Sequence, residues 1–482
     1  MNAQPKVLAV DLDGTLIASD MLHESFWASL GRDRGAVLKA GARFLTGGRA
    51  ALKERLAAGA DVDVAHLPYK NVVLEEIRTA KEQGAHVVLA TASDRSFAQA
   101  VADHLGLFDE VMASDGTVNL KGEAKTAALV EKFGAGGFSY LGDSSADLPV
   151  WAASGEAISV DAPAALKERI KAPVVRHLDG ANGTQKGFAP LLKALRPHQW
   201  LKNLLLFIPM LLAHDFSGSS VLAAIVAFIS FSLVASSVYV LNDLVDLSAD
   251  RSHPRKRLRP FASGALPLSA GLWLAPGLLI AGTVIGAFAG PLFLLVLLFY
   301  YLCTLAYSLG LKRITVIDIC MLAGLYTLRV IAGAAATMNA PSVWLLGFSI
   351  FFFLALAAVK RQAELVDLVV RGDEKAEGRG YLPGDLPLIT MMALASGYVA
   401  VLVAGLYLTS DTVARLYSFP PALWGICAVL VYWVSRIVML THRRRMHDDP
   451  IVFAVTDKVS LFCGAVIIGL VVLAARFPGG SP

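Results

Sequence analysis

Cysteine is scarce in this chain, and charge is sparse. The four cysteines among 482 residues, Cys303, Cys320, Cys427 and Cys463, all sit inside apolar runs without metal-ligand spacing. They read as small core residues in a reducing or lipid setting, which excludes a disulfide framework. Charged residues make up only 17% and the formal net charge is +4, so nothing calls for nucleic acid as a partner. A signal peptide is not expected either: the first apolar run, Val7 to Val10, has strand length and leads straight into acidic residues. Apolar residues are what the chain has in excess, 55% of the total with a mean hydropathy of +0.58, as in a membrane protein. The distribution is uneven. Residues 1–180 read as a soluble α/β domain, 181–195 as a linker that mixes Gly, Asn and Pro and becomes weakly helical, and 196–482 as apolar runs separated by short charged loops.

The stretch NDLVDLSADRSHPRKRLRPFASG, Asn242 to Gly264, follows one of those runs. At helical pitch Asp243 and Asp250 lie nearly on one face, with Asp246 beside them. Three carboxylates at the mouth of a membrane span repel one another unless a hard cation joins them, and Mg²⁺ shared with phosphate oxygens resolves the conflict. Arg251, Arg255, Lys256, Arg257 and Arg259 follow, where anionic oxygens would lie. The bland alternative is an acidic helix end with cytoplasmic basic anchors, but anchoring needs no spaced triplet of carboxylates.

In the soluble part, strands Val7 to Val10, His86 to Ala90 and Phe138 to Leu141 lead into DLDGT (Asp11–Thr15), TASD (Thr91–Asp94) and GDSSAD (Gly142–Asp147). Helices are expected between them, over Asn71 to Gln83, Phe97 to Leu105 and Ala124 to Phe133. Such repeats make a parallel, doubly wound sheet with ligands at the strand C-terminal ends, where all these motifs fall. The chemistry they suit is phosphoryl transfer through a carboxylate. Asp11 is the nucleophile and Asp13 the general acid and base. Asp143 shares Mg²⁺ with Asp11, and Asp13 and Asp147 complete the candidate metal set. Thr91 and Lys125, preferred over Lys121, bind phosphoryl oxygens. The order and residues resemble the haloacid dehalogenase superfamily of phosphatases over most of residues 1–175. That resemblance implies a small helical cap over about Asp20 to Pro68, bearing His23, Trp27 and Phe44. His23 and His66 read as surface or packing histidines, and a degenerate docking module is the competing reading.

Beyond the linker, RPHQWLKN (Arg196–Asn203) places a Trp and cations for the membrane interface. Apolar runs at about 203–214, 221–241, 268–289, 291–309, 314–336, 342–359, 386–409, 420–440 and 456–475 match a hydrocarbon core of about 30 Å, making nine expected spans. Basic residues gather in alternate loops, at Arg251 to Arg259, Lys312-Arg313, Lys360 to Arg379 and Arg443 to Arg445, which puts the soluble domain and the charged motifs on the cytoplasmic side. There KRQAELVD brings Lys360, Glu364 and Asp367 to one helical face, suited to a second metal or a phosphate clamp. Arg329, deep in an expected span, is functional by default, with Asp318, the carboxylate cluster or a ligand phosphate as candidate partners.

NDxxDxxxD followed by RP and SG resembles the UbiA superfamily of intramembrane prenyltransferases over residues 196–482. The resemblance implies nine transmembrane helices around a cavity, Asn242, Asp243, Asp246 and Asp250 as a first acidic motif, and one or two Mg²⁺ there besides the one in the soluble domain. RPHQWLKN with Lys202 and Asn203, Lys360-Arg361 with Glu364, Tyr307 with Lys312, and HDDPIVFAVTDKVS look like its phosphoribosyltransferase branch. That branch implies phosphoribosyl pyrophosphate as donor and a polyprenyl phosphate as acceptor. Lys256, Arg257, Arg259, Lys312, Lys360 and Arg361 are then available for phosphates, and a fused phosphatase would remove the 5-phosphate from the product. A prenyl pyrophosphate donor with an aromatic or quinone-type acceptor fits the same carboxylates, and a non-catalytic transporter is a third reading. A homo-oligomer stays open.

Overall fold

The computed structural model describes residues 7–32, 62–115, 119–180, 188–372, 379–446 and 449–476. Phe44 and most of the expected cap lie outside the described residues.

Two compact units are present, Met1–Leu195 with Tyr239–Ala275, and Arg196–Val238 with Pro276–Pro482. In the first, six parallel strands lie in the order β3-β2-β1-β4-β5-β6. They are β1 (Val7–Val10), β2 (His86–Asp94), β3 (Glu110–Ser114), β4 (Ser139–Gly142), β5 (Glu156–Val160) and β6 (Val174–Leu178). Helices α1 (Met21–Arg32), α2 (Asn71–Glu82), α3 (Arg95–Leu105) and α4 (Glu123–Phe133) intervene. The side-chain period of two splits each central strand between two cores. Leu8, Val10, Val87 and Leu89 join Ile77 of α2 and Val101 of α3 on one face. Ala9, Val88, Ala90 and Tyr140 join Leu129 of α4 and Trp151 on the other. Strands buried on both faces read as unbroken apolar runs, which is why they were visible in the sequence. The order reverses between β1 and β4, whose neighbouring C-terminal ends make the crevice such sheets use for ligands.

Helix α5 (Gly218–Val245) is a membrane-length helix that leads into the short α6 (Leu247–Ser252). The remaining long helices are α7 (Leu268–Ala287), α8 (Pro291–Leu309), α9 (Ile317–Thr337), α10 (Val343–Arg371), α11 (Leu386–Leu408), α12 (Trp424–His442) and α13 (Lys458–Arg476). Among the described residues eight helices are long and apolar enough to cross a membrane, so the chain is an integral membrane protein. The expected span at 203–214 is shorter than that. Pro197–Phe207 forms tight 3₁₀ turns and Ile208–Leu212 a brief helix with a proline in its first turn. This segment packs closely on α9: a Cβ on Gly333 would lie 2.0 Å from the Leu206 carbonyl oxygen. Small residues let backbones approach where apolar area alone gives little association between membrane helices. Gly397 of α11 does the same against Val434 of α12.

Candidate phosphate-handling sites

At the crevice between β1 and β4, Asp11, Asp143 and Asp147 offer carboxylate oxygens all within 4.8 Å of one another. Gly14 permits this, because a Cβ there would lie 2.3 Å from the Asp143 carboxylate and its φ is +74°. Lys125 Nζ donates to Asp11 Oδ1 at 2.9 Å and to the Tyr140 hydroxyl at 2.8 Å. Tyr140 in turn donates to Asp147 Oδ1 at 2.8 Å. The other Asp147 oxygen accepts from the backbone N–H groups of Asp143 and Ser144, so Asp147 orients the loop as well as facing the cluster. Asp13 accepts from Ser93 Oγ at 2.5 Å and from the Met21 N–H at 2.7 Å. Thr91, fully buried, accepts from the Ser93 N–H.

The electrostatics follow from burial. It raises the Asp11 carboxyl to about 6 against the pull of Lys125. It raises Asp13 to about 7, helped by Asp20, and Asp143 to about 7, helped by Asp11 and Asp147. Crowded, desolvated carboxylates resist ionisation, and a divalent cation relieves both causes. The oxygen donor set therefore fits Mg²⁺. Sequence reading missed Ser93, Tyr140 and Thr15, whose Oγ1 donates to Asp143 Oδ1 at 3.3 Å. Tyr140 looked like one more core residue of a buried strand, and only its hydroxyl, pointed at two charges, marks it out. His66 pairs with Asp63 at the surface, and His23 with Asp20.

At the acidic loop the helix breaks at Asp246, between α5 and α6, so the three aspartates do not share one continuous helix. Asp243 and Asp250 are nevertheless buried and converge, on Arg259: its Nη1 lies 3.1 Å from Asp243 and 2.5 Å from Asp250. Among the described residues the group of three carboxylates close enough to share one ion is Asp11, Asp143 and Asp147, and the loop aspartates do not form a second. Arg259 thus supplies positive charge to two buried carboxylates at once. Burial still raises Asp250, despite Arg259. Lys256 and Arg257 are exposed, whereas Asn242 is half-buried. Arg251 is not among the cations facing outward: it is buried and bonded to Glu24.

In the second unit Asp318 is fully buried and lies 2.7 Å from Arg361 Nε, 2.9 Å from Arg379 Nη1 and 2.7 Å from the Tyr307 hydroxyl. Glu364 pairs with both arginines. Among the described residues, Arg361 Nη2 is buried without a hydrogen-bond partner. Lys360, although on the same helix, turns to Asp449 at 3.3 Å, where Lys202 also arrives at 2.6 Å. Asp367 is half-buried one turn beyond Glu364, and Lys312 is half-buried in the loop after α8. Asp449 and Arg379 were not among the site residues read from the sequence, although the HDDP run contains Asp449 and the basic loop after α10 ends at Arg379. Asp318, one of the three candidate partners for Arg329, is taken by other arginines. Arg329 donates to Asn203 Oδ1 at 3.0 Å, the Tyr300 hydroxyl at 3.0 Å and the Leu325 carbonyl at 2.6 Å. Its guanidinium also lies near the rings of Phe231, Tyr300 and Tyr326. Neutral acceptors and aromatic faces stabilise this cation in a low-dielectric setting, while Asp318 takes two other arginines.

Comparison with known families gives a match to the UbiA prenyltransferase family over residues 204–473. The chain belongs to that family. Residues 8–151 match the haloacid dehalogenase-like hydrolases, so a UbiA domain is fused behind a hydrolase domain, and both families are enzymes. An uncharacterized protein of Sinorhizobium fredii, y4nM, is 38% identical over 97% of this chain and 90% of its own length. The nodulation protein NoeC of Azorhizobium caulinodans is 36% identical over 59% of this chain and 91% of its own length. The decaprenyl-phosphate phosphoribosyltransferase of Mycolicibacterium smegmatis is 41% identical over 36% of this chain. This UbiA protein spans 57% of that enzyme's length.

Proposed function

We propose that this protein transfers phosphoribose from phosphoribosyl pyrophosphate to a polyprenyl phosphate, and that its hydrolase domain then removes the 5-phosphate to leave polyprenyl-phosphoryl-ribose. The observation that carries the reading is the likeness to decaprenyl-phosphate phosphoribosyltransferase within a chain whose other domain bears the Asp11, Asp13, Lys125, Asp143 cluster. A phosphoribosyl product retains the monoester that such a cluster is built to hydrolyse. The excess of basic residues in alternate loops supports a cytoplasmic location for the domain and both acidic motifs.

In the transfer, an acceptor phosphate oxygen bonds to ribose C1 as the C1–O bond to pyrophosphate breaks. The acceptor is already anionic, so no protein base is needed. Asp243, Asp246 and Asp250, with Asn242, are assigned to the diphosphate and would hold its Mg²⁺, and Arg259, beside Asp243 and Asp250, is assigned to diphosphate oxygens. Lys256, Arg257, Lys312, Lys360 and Arg361 are assigned to the donor and lipid phosphates, the unpartnered Arg361 nitrogen being the sharpest pointer. Tyr307, Glu364 and Asp367 complete that set, while Lys202, Asn203 and Arg329 line the substrate region. In the hydrolase domain Asp11 attacks phosphorus while Asp13, its proton retained by burial, protonates the departing ribose oxygen. Asp13 then takes a proton from the water that cleaves the acyl phosphate. Thr91 and Lys125 hold the phosphoryl oxygens. Bound at each carboxylate set, Mg²⁺ would neutralise phosphate charge, making pyrophosphate a better leaving group in the transfer and the phosphoryl group a better electrophile in the hydrolysis.

A donor comparison tests this. Purified protein with Mg²⁺ and a polyprenyl phosphate should label the lipid from radiolabelled phosphoribosyl pyrophosphate. Labelling of an aromatic acceptor from a prenyl pyrophosphate instead, with none from the phosphoribosyl donor, would contradict it.

A further inference from the structure

The acidic loop is fastened to the hydrolase domain by the Arg251 guanidinium. Arg251 donates from Nη1 and Nη2 to the two carboxylate oxygens of Glu24, at 2.9 and 2.7 Å. Its Nε donates to the Ala262 carbonyl at 3.0 Å. Glu24 is 3% exposed and Arg251 7%, so solvent screens the pair little. One side chain therefore closes residues 251–262 into a loop, the loop that carries Lys256, Arg257 and Arg259, and ties it to α1. A close approach at Gly264 repeats the attachment, and the linker ahead of the membrane domain adds a tether of its own. A Cβ on Gly264 would lie 2.6 Å from Ala18 Cβ, and Lys193 Nζ donates to the Leu258 carbonyl at 3.0 Å.

Helix α6 puts Asp250 and Arg251 side by side in sequence but sends them to different partners. Asp250 meets Arg259, which also holds Asp243. Arg251 meets Glu24. Any shift of α6 that breaks the Glu24 pair must move Asp250 as well, and with it the Arg259 bridge. Surface anchoring alone gives no reason to bury a bidentate ion pair here, since an isolated pair of this kind adds little net stability over apolar residues of the same size. Its geometric specificity is what apolar residues lack.

We propose that Glu24 is a positioning residue for the diphosphate site: through Arg251 the hydrolase domain fixes α6 and the basic loop, keeping Asp250 and Arg259 beside Asp243, where the metal–diphosphate group would bind. Neither residue touches the substrate. The proposal rests on the diphosphate-transferase reading above, and it explains why the two domains share a chain rather than merely a pathway.

Mg²⁺–pyrophosphate binding to the full-length protein tests it, since pyrophosphate leaves from either class of donor. An Asp243→Ala/Asp246→Ala control subtracts binding elsewhere, and hydrolysis of p-nitrophenyl phosphate reports on the hydrolase domain. Glu24→Gln and Arg251→Met should each weaken loop-dependent binding by about tenfold or more, the size of effect seen when supports of metal ligands are lost. The double variant Glu24→Leu/Arg251→Met removes both buried charges together and so preserves the fold. It should hydrolyse p-nitrophenyl phosphate like the wild type yet bind pyrophosphate as weakly as the single variants. Wild-type pyrophosphate affinity in the double variant would overturn the proposal while leaving the diphosphate reading intact. Parallel loss of hydrolysis and binding in the double variant would also overturn it, because the pair would then support the hydrolase fold itself. Wild-type protein with no binding above the Asp243→Ala/Asp246→Ala control would sink the underlying diphosphate reading, and the clamp with it.

Discussion

Lys202 and Asp449, 247 positions apart in the chain, meet as a buried ion pair with Nζ 2.6 Å from Oδ2. Burial lowers the lysine to about 8 even against the pull of Asp449. Burial would raise Asp449, but Lys202 and Lys360 more than offset that and hold it well below the usual carboxylate range. Lys202 therefore carries its charge below about pH 8 and loses it above. Transferase turnover should fall as pH rises through about 8, and Lys202→Arg, which stays charged, should move that fall upward. A pH–rate profile of the two proteins checks it; superimposable profiles would contradict the role given to Lys202.

Removing the other partner is a stability experiment. Asp449→Ala leaves two lysines facing each other in a buried site, where breaking a buried pair costs about 3–5 kcal/mol. Thermal unfolding in detergent should show a marked loss, and Asp449→Asn a smaller one, because its amide oxygen still accepts from Lys202.

Asp13→Asn should reduce hydrolysis of a phosphate monoester by roughly 10²–10⁴-fold, the usual contribution of a general acid or base. The amide can still accept from Ser93 and the Met21 N–H, so the fold should survive. Equal circular dichroism and melting with near wild-type turnover would remove Asp13 from the mechanism.

Gly14→Ala forces a Cβ to 2.3 Å from the Asp143 carboxylate at a backbone φ of +74°. The left-handed conformation alone costs about 1–2 kcal/mol, and the clash displaces Asp143. Hydrolysis should fall and require more Mg²⁺ for half-maximal rate, whereas lipid labelling from the phosphoribosyl donor should persist. Unchanged Mg²⁺ dependence would argue against Asp143 as a metal ligand.

Much of this was legible in the sequence for specific reasons. Strands buried on both faces announce themselves as apolar runs, and the acids Asp11, Asp13, Asp143 and Asp147 follow strands whose order places them together. Membrane helices are equally plain, except at 203–214, where tight 3₁₀ turns and a brief helix stand in place of a span. Long-range pairing was not legible. Lys202 with Asp449 and Glu24 with Arg251 join residues more than two hundred positions apart, and no local period encodes a contact of that kind. Arg329 shows the same limit: that a buried arginine matters is readable, but which acceptors satisfy it depends on the packing of Asn203 and Tyr300. The attachment of Asn242–Gly264 to the hydrolase unit was likewise invisible, since Glu24 looks like an ordinary helix residue.

The central claim is that two reactions run in sequence on one lipid, and the lipid product of Asp11→Asn tests it most directly. Wild-type and Asp11→Asn proteins would be incubated with phosphoribosyl pyrophosphate, a polyprenyl phosphate and Mg²⁺, and the lipids compared by mass spectrometry. Wild type should yield polyprenyl-phosphoryl-ribose, and Asp11→Asn the same lipid still bearing its 5-phosphate. Identical dephosphorylated lipid from both proteins, or a phosphorylated product from both, would contradict the two-step account.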